Sequence, residues 1–189
     1  MKDRYKNRRL YFDELAETSS VYFMKYISKF YYFAHLHKVL EIGCGEGGIL
    51  MPFAKMGCDV YGVDISKTKI ENAMLFFSEN QLEGQFICCD FLQMNLTEYT
   101  GIYDLIIVHD VIEHIEPDSK REFMLRARSL LKEDGVMFAA FPAWKMAFGG
   151  HQQICSKLFC RIPFLHLLPT YLYECYLNLL GEDDATIME

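Results

Sequence analysis

The sequence lacks an uninterrupted apolar run. Its most apolar stretch, Ile154 to Leu180, is broken by Lys157, Arg161, Pro163, His166, Pro169 and Glu174. A helix that crosses a bilayer needs about 20 residues with few or no charges, so no transmembrane segment is expected. The N-terminus is too charged for a secretory signal, and no apolar stretch of the right kind follows it. CxxC pairs are also missing. The seven cysteines are an odd number, and Cys44, Cys58, Cys88 and Cys89 fall in segments read as buried core. Free thiols in a reducing cytoplasm are the expectation, and a zinc site is not. Excess positive charge is absent too: 19 Lys and Arg against 26 Asp and Glu leave −7. That excludes broad attachment to nucleic acid, which needs a basic face. The basic residues Lys2, Arg4, Lys6, Arg8 and Arg9 read as a solvated terminal helix or tail.

What is present is an ordinary globular composition, 51% hydrophobic and 24% charged, long enough for one α/β domain with a proper core. Residues from Phe12 to Leu36 carry apolar side chains at helical spacing without an internal Gly or Pro. The period then changes. Short apolar runs at 38–42, 59–63, 85–89, 103–108 and 136–141 read as strands. Between them lie helical patterns, such as Ile70, Ala73, Met74 and Phe77 behind a possible Ser66 cap, or Phe123, Met124, Ala127, Leu130 and Leu131. The fourth strand is apolar at consecutive positions, as in a parallel sheet covered on both faces. The alternation predicts a doubly wound, Rossmann-like parallel sheet of five strands flanked by helices. Its layout is an N-terminal helical segment (1–37), the α/β core (38–142) and a helical C-terminal segment (143–189), all one domain.

In such a sheet, ligands bind beyond the carboxyl ends of the strands, where the strand order reverses. Every strand here ends in residues suited to that crevice: Glu41 and the glycines, Asp64, Asp90, His109 with Asp110, and Pro142. Gly43 and Gly45 can adopt conformations barred to residues with a Cβ and let a ligand touch the backbone. The helix that follows is expected to offer free N–H groups. Asp64, 21 residues after Gly43, stands where an acid accepts hydrogen bonds from ribose hydroxyls. Gly43-x-Gly45-x-x-Gly48 also satisfies the dinucleotide fingerprint, so the loop alone is compatible with an NAD-dependent oxidoreductase. Glu41 before the glycines, Asp90 at the end of strand three and the run His109-Asp-Val-Ile-Glu-His-Ile115 weigh against it.

Val39-Leu-Glu-Ile-Gly-Cys-Gly-Glu-Gly47, Tyr61-Gly-Val-Asp-Ile-Ser66, Cys89-Asp-Phe91, Tyr103-Asp-Leu-Ile106 and Leu130-Leu-Lys-Glu-Asp-Gly135 resemble the successive motifs of class I S-adenosylmethionine-dependent methyltransferases, particularly the small-molecule, ubiquinone-pathway-like type. The resemblance covers roughly residues 38 to 142. It implies that Gly43, Cys44, Gly45 and Gly47 line the methionine part of the cofactor with Glu41 nearby, that Asp64 holds the ribose and Ile65 flanks the adenine, and that Asp90 and Phe91 meet the adenine edge. His109 would face the methionine moiety and the substrate. His109, His114 and His151 are the candidate bases, because histidine titrates near neutrality. Asp110, Glu113 and His114 would share one face of a short helix, and similar segments bind a divalent metal in some O-methyltransferases; here a metal is not the expectation. Trp144, Phe148 and His151, after strand five, are substrate-side candidates. The expected activity is methyl transfer to an O, N or C nucleophile of a small molecule, with a non-catalytic cofactor-binding module as a further alternative. The family's sixth and seventh strands, an antiparallel hairpin, are not found, as if the chain were truncated. Ile154 to Leu180 is expected to be helical, serving as a lid or as a homodimer surface.

Overall fold

The computed structural model describes residues 7–32, 34–149, 152 and 155–182. His151 therefore lies outside the described residues, as do Lys2, Arg4 and Lys6. The chain forms two compact units, one through Ala140 and one from Phe141 onward. In the first unit, helix α1 (Arg8–Thr18) begins at Asn7, whose side chain accepts from the Leu10 amide. It continues through a π-helical turn (Ser19–Phe23) into α2 (Met24–Ile27). The expected helix to Leu36 thus stops at Ile27. Beyond it the chain folds across the lower edge of the sheet: the Tyr31 hydroxyl donates to Asp104, and Leu36 takes a left-handed conformation, φ 68°. Apolar spacing alone could not register those tertiary attachments.

Strands β1 (Lys38–Ile42), β2 (Asp59–Asp64), β3 (Gln85–Cys88), β4 (Tyr103–His109) and β5 (Leu131–Ala140) alternate with α3 (Met51–Lys55), α4 (Lys67–Glu79) and α5 (Pro117–Leu130). Among the described residues they make one parallel sheet of order β3-β2-β1-β4-β5. The expected fold class is the observed one. Strand five starts earlier than Val136, because Leu131 already pairs with Tyr103; the Asp134-Gly135 turn is absorbed as an irregularity before Val136 pairs with Leu105.

Side chains alternate across each strand, so the sheet feeds two cores. Val39, Leu105 and Ile107 pack with Phe12 of α1, with Leu50 just before α3 and Phe53 within it, and with Phe76 and Phe77 of α4. Leu40, Ile42, Ile106 and Val108 pack with Phe91 and with Phe123, Ala127 and Leu130 of α5. Helix α5 has Pro117 in its first turn, Asp118 beside it and Arg128 in its last turn, all placed as helix ends favour. Ser66 occupies the cap position of α4, but its side chain makes no capping bond; its amide donates to Asp64 instead. Of the cysteines expected to be buried, Cys44 and Cys58 are, whereas Cys88 at the end of edge strand β3 is exposed.

In the second unit, two short 3₁₀ turns (Leu158–Arg161 and Leu165–Leu167) precede α6 (Thr170–Leu179). No strand occurs among the described residues of this segment, in line with the helical expectation, although Pro163 and Pro169 leave α6 as its one full helix. Cys155, Cys160 and Leu177 form its small core.

Candidate functional site

Strand order places β1 at the switch point between β2 and β4, and the chain beyond β1 turns sharply through three glycines of positive φ: Gly43 (77°), Gly45 (53°) and Gly47 (79°). Their amides are engaged by the protein itself. Those of Gly43 and Cys44 donate to the Val63 carbonyl, at 2.7 and 3.0 Å, and that of Gly47 donates to the Cys44 carbonyl. The Gly45 amide donates to Asp64 Oδ2 at 2.9 Å, while Asp64 Oδ1 accepts from Ser66 at 2.8 Å. Asp64 thereby closes the turn. A Cβ on Gly43 would lie 2.2 Å from a methyl of Val111, so the residue must be glycine for packing as well as for φ. Gly47 instead faces Phe86 and Phe77 in the core.

A cavity of about 340 Å³ opens over the carboxyl ends of the strands, within the range typical of small-molecule sites. Gly43, Asp64, Ile65, Asp90 and Phe91 line it, as the sequence led one to expect, together with His114 and Asp110. Ile65 is 73% exposed, an apolar side chain left free at the rim. Asp90 holds its own turn through the Leu92 amide, and the Phe91 ring sits edge-on to Phe123. Lys69, Leu92, Val111, Ile115 and Phe123 also line the cavity and were missed. Lys69 and Phe123 reach it from α4 and α5, and Leu92, Val111 and Ile115 from the chain after β3 and β4, placements for which one sequence carries no signal beyond position near a strand end.

Other expected residues stand apart from this wall. The Cys44 side chain is directed at Gly62 and Phe86 in the core, and burial pushes its thiol far above the usual range. Glu41 is only 2% exposed, and its Oε2 has no hydrogen-bond partner. Burial, reinforced by Asp64, raises this carboxyl well above the ordinary carboxylate range. His109 packs its ring 5.1 Å from that of Phe23, with Nε2 3.6 Å from the Asp110 carboxylate.

The segment after β4 differs from expectation. Asp110 is left-handed (φ 51°) and only Ile112–His114 is helical, as one 3₁₀ turn. Asp110, Glu113 and His114 therefore do not stack on one α-helical face. Among the described residues no three His, Cys, Asp or Glu side chains are grouped as a metal would require. Both Glu113 oxygens are buried without a hydrogen-bond partner. In the second unit, His166 is buried and bonded to Gln152 and to the Trp144 carbonyl, while Trp144 is itself exposed. A larger cleft, about 740 Å³, lies at the amino ends of β2 and β3 beside Gly57, Asp59 and Gln85. That is the end of a doubly wound sheet where ligands are not bound, so size does not make it the site.

Fold and cavity together define a Rossmann-like domain with an acid-closed glycine turn at the switch point of its sheet. Comparison with known proteins makes the assignment narrower. The family described as "Methyltransferase domain" matches residues 39–135, just over half of the chain, and the chain belongs to that family. Among curated relatives, the ubiquinone biosynthesis O-methyltransferase of Bartonella quintana is 31% identical over 126 residues, 64% of this chain and 49% of the relative. That of Histophilus somni is 33% identical over 129 residues, 64% and 53%. The chain thus spans about half the length of the curated relatives it matches. Among solved structures, the PH0226 protein of Pyrococcus horikoshii is similar with a TM-score of 0.58 and 28% identity, covering 70% of this chain and 58% of that one. PKMT2 of Rickettsia typhi, solved in complex with AdoHcy, has a TM-score of 0.51 and 27% identity, covering 55% and 20%.

Proposed function

We propose that this chain is the cofactor-binding core of an S-adenosylmethionine-dependent methyltransferase that acts on a small molecule. The observation that carries the reading is the meeting of Gly43, Asp64, Ile65, Asp90 and Phe91 around one cavity at the switch point. The glycine turn also separates this ligand from a dinucleotide. A pyrophosphate needs free amides at the start of a helix, whereas the amides of Gly43, Cys44, Gly45 and Gly47 are already engaged and α3 has five residues. A cofactor without phosphates fits such a turn. The orphaned Glu41 oxygen offers a carboxyl to its amino-acid end.

When bound, S-adenosylmethionine supplies an electrophilic methyl group. The chain's part is mainly to hold the reactants in line, since orientation supplies most of the acceleration in such transfers. Asp64 accepts from ribose hydroxyls with the lone pairs its backbone donors leave free. Ile65 and Phe91 flank the base, and Asp90 faces its edge. His114, on the cavity wall, and His109, beside Asp110, are the groups able to take a proton from an oxygen or nitrogen acceptor; His151 is the third. Cysteine usage supports a cytoplasmic setting, and the exposed Leu158, Phe159, Leu172 and Leu179 of the second unit support pairing of two copies there.

The test is ligand-dependent stability. S-adenosylmethionine or its demethylated product should raise the melting temperature, because a ligand that prefers the native state stabilises it by mass action; NAD should not. Asp64→Ala should weaken binding by about 1–3 kcal/mol, the usual cost of unmet buried hydrogen-bond partners. Stabilisation by NAD alone would overturn the reading, and equal affinity in the variant would remove Asp64 from the site.

A further inference from the structure

Glu41 occupies the centre of the sheet, in register with Gly62 on β2 and Ile107 on β4. Neither neighbour can offer its side chain a hydrogen bond. The carboxyl is 2% exposed, and Oε2 has no partner. Within electrostatic reach is a second acidic side chain, Asp64, whose two oxygens accept from the Gly45 and Ser66 amides. The other titratable groups on the surrounding elements offer no relief. Cys44 is a buried neutral thiol, Glu46 is committed to Arg8, Glu14 on α1 is another acid, and His109 ends β4 beside Asp110. Lys69, on α4, lines the cavity together with the acids Asp64, Asp90 and Asp110. A second negative charge at Glu41 would be desolvated, unpaired and adjacent to the first, a combination that forces one of two neighbouring carboxyls to stay neutral.

We propose that Glu41 carries a proton in the ligand-free protein and releases it to solvent when a cationic amino-acid moiety settles beside the β1–glycine turn, so that cofactor binding is coupled to proton release. The inference rests on the cofactor reading above, but adds something that reading does not require. The arriving ammonium supplies the missing counter-charge and the missing hydrogen-bond donor for Oε2 together. A neutral ligand supplies neither. The empty site thereby avoids a bare buried anion, and the site selects for nucleosides that carry a positive amino-acid arm.

Isothermal titration calorimetry of the whole chain, in buffers of different ionisation enthalpy between pH 5 and 8, reads the coupling directly. S-adenosylmethionine and S-adenosylhomocysteine, which share the ammonium, should each release up to one proton, and their affinity should rise with pH by up to tenfold per unit. Methylthioadenosine, which lacks the amino-acid arm, should release none. Glu41→Gln, isosteric with the protonated acid, should bind without releasing that proton and lose the pH dependence. Infrared difference spectra supply a second readout: the carboxylic-acid carbonyl band of the free protein should vanish on binding and be absent from Glu41→Gln. Binding without proton release across the range, or release undiminished in Glu41→Gln, overturns the proposal and leaves the cofactor reading standing. Failure of both amino-acid nucleosides to bind overturns the cofactor reading, and the proposal with it.

Discussion

Asp64 and Asp104 look alike in the sequence, each an acid inside a family-like motif, yet they sit at opposite ends of the sheet. Asp64 ends β2 and borders the cavity. Asp104 begins β4, where it accepts from the Lys38 amide at 2.8 Å and from Lys132 at 2.7 Å, tying together the lower ends of β1, β4 and β5. Burial opposes its charge, but the bonds from Lys132 and Lys38 prevail and hold the carboxyl below its ordinary range. The folded-state value is thus depressed. Its stabilisation is complete above the unfolded value, near 3.9, and is lost as pH falls through the lower folded value. Asp104→Asn should cost about 1–3 kcal/mol near neutrality and distinctly less at the acid end. Urea unfolding of both proteins at pH 7 and pH 3 checks this, and an equal loss at both would remove the electrostatic account. What the sequence could not tell was which acid borders the cavity and which ties the sheet, because that depends on which end of a strand the residue occupies.

At the scale of elements, the first four strands were legible to within a residue at either end, since consecutive apolar positions bounded by Gly and Asp leave little choice, whereas the early start of β5 at Leu131 was hidden by the Asp134-Gly135 turn signal. The N-terminal helix was legible as a helix but not in its purpose. Arg8, read as part of a solvated charge run, makes a two-pronged ion pair with Glu46 inside the glycine turn, at 2.6 and 2.5 Å, and Arg9 pairs with Asp13 and Glu79. Ser19, in the π-helical turn, donates to the Ile49 carbonyl. Gly48 comes so near α1 that a Cβ would lie 2.6 Å from the Phe12 carbonyl oxygen. The third glycine of the dinucleotide fingerprint is therefore needed for packing α1 onto the turn. Glu46 is buried and Arg8 about a third exposed, so Arg8→Ala should cost about 1–3 kcal/mol, less than the ~3–5 for breaking a fully buried pair. Most of the loss should disappear in an Arg8→Ala, Glu46→Gln double variant, which no longer buries an unmatched charge. Thermal unfolding of the single and double variants decides: additive losses would mean that the pair does not act as a unit.

For the whole molecule, the division after Ala140 separates what the sequence motifs describe from what they do not. Each unit has its own buried cluster, and the two large clusters of the first draw only on residues up to Phe138. The cavity wall runs from Ile42 to Phe123, and Glu41 and the glycine turn lie within the same unit. The matched family segment, residues 39–135, ends inside β5. Trp144 and Phe148, singled out as substrate-side residues, belong to the second unit, so the sequence read cofactor chemistry and substrate chemistry from different parts of the chain. A chain ending at Ala140 should therefore keep its helix and strand content and bind S-adenosylmethionine within a few-fold of the intact chain, because the groups proposed to hold the cofactor and the cores that position them remain. Such a difference is below ~1 kcal/mol, less than the loss of one hydrogen bond to a charged group. Circular dichroism and calorimetry on the shortened chain measure both properties. A folded product whose affinity falls by a hundredfold would show that residues after Phe141 take part in holding the cofactor, and an unfolded product would show that the first unit's core is not sufficient by itself.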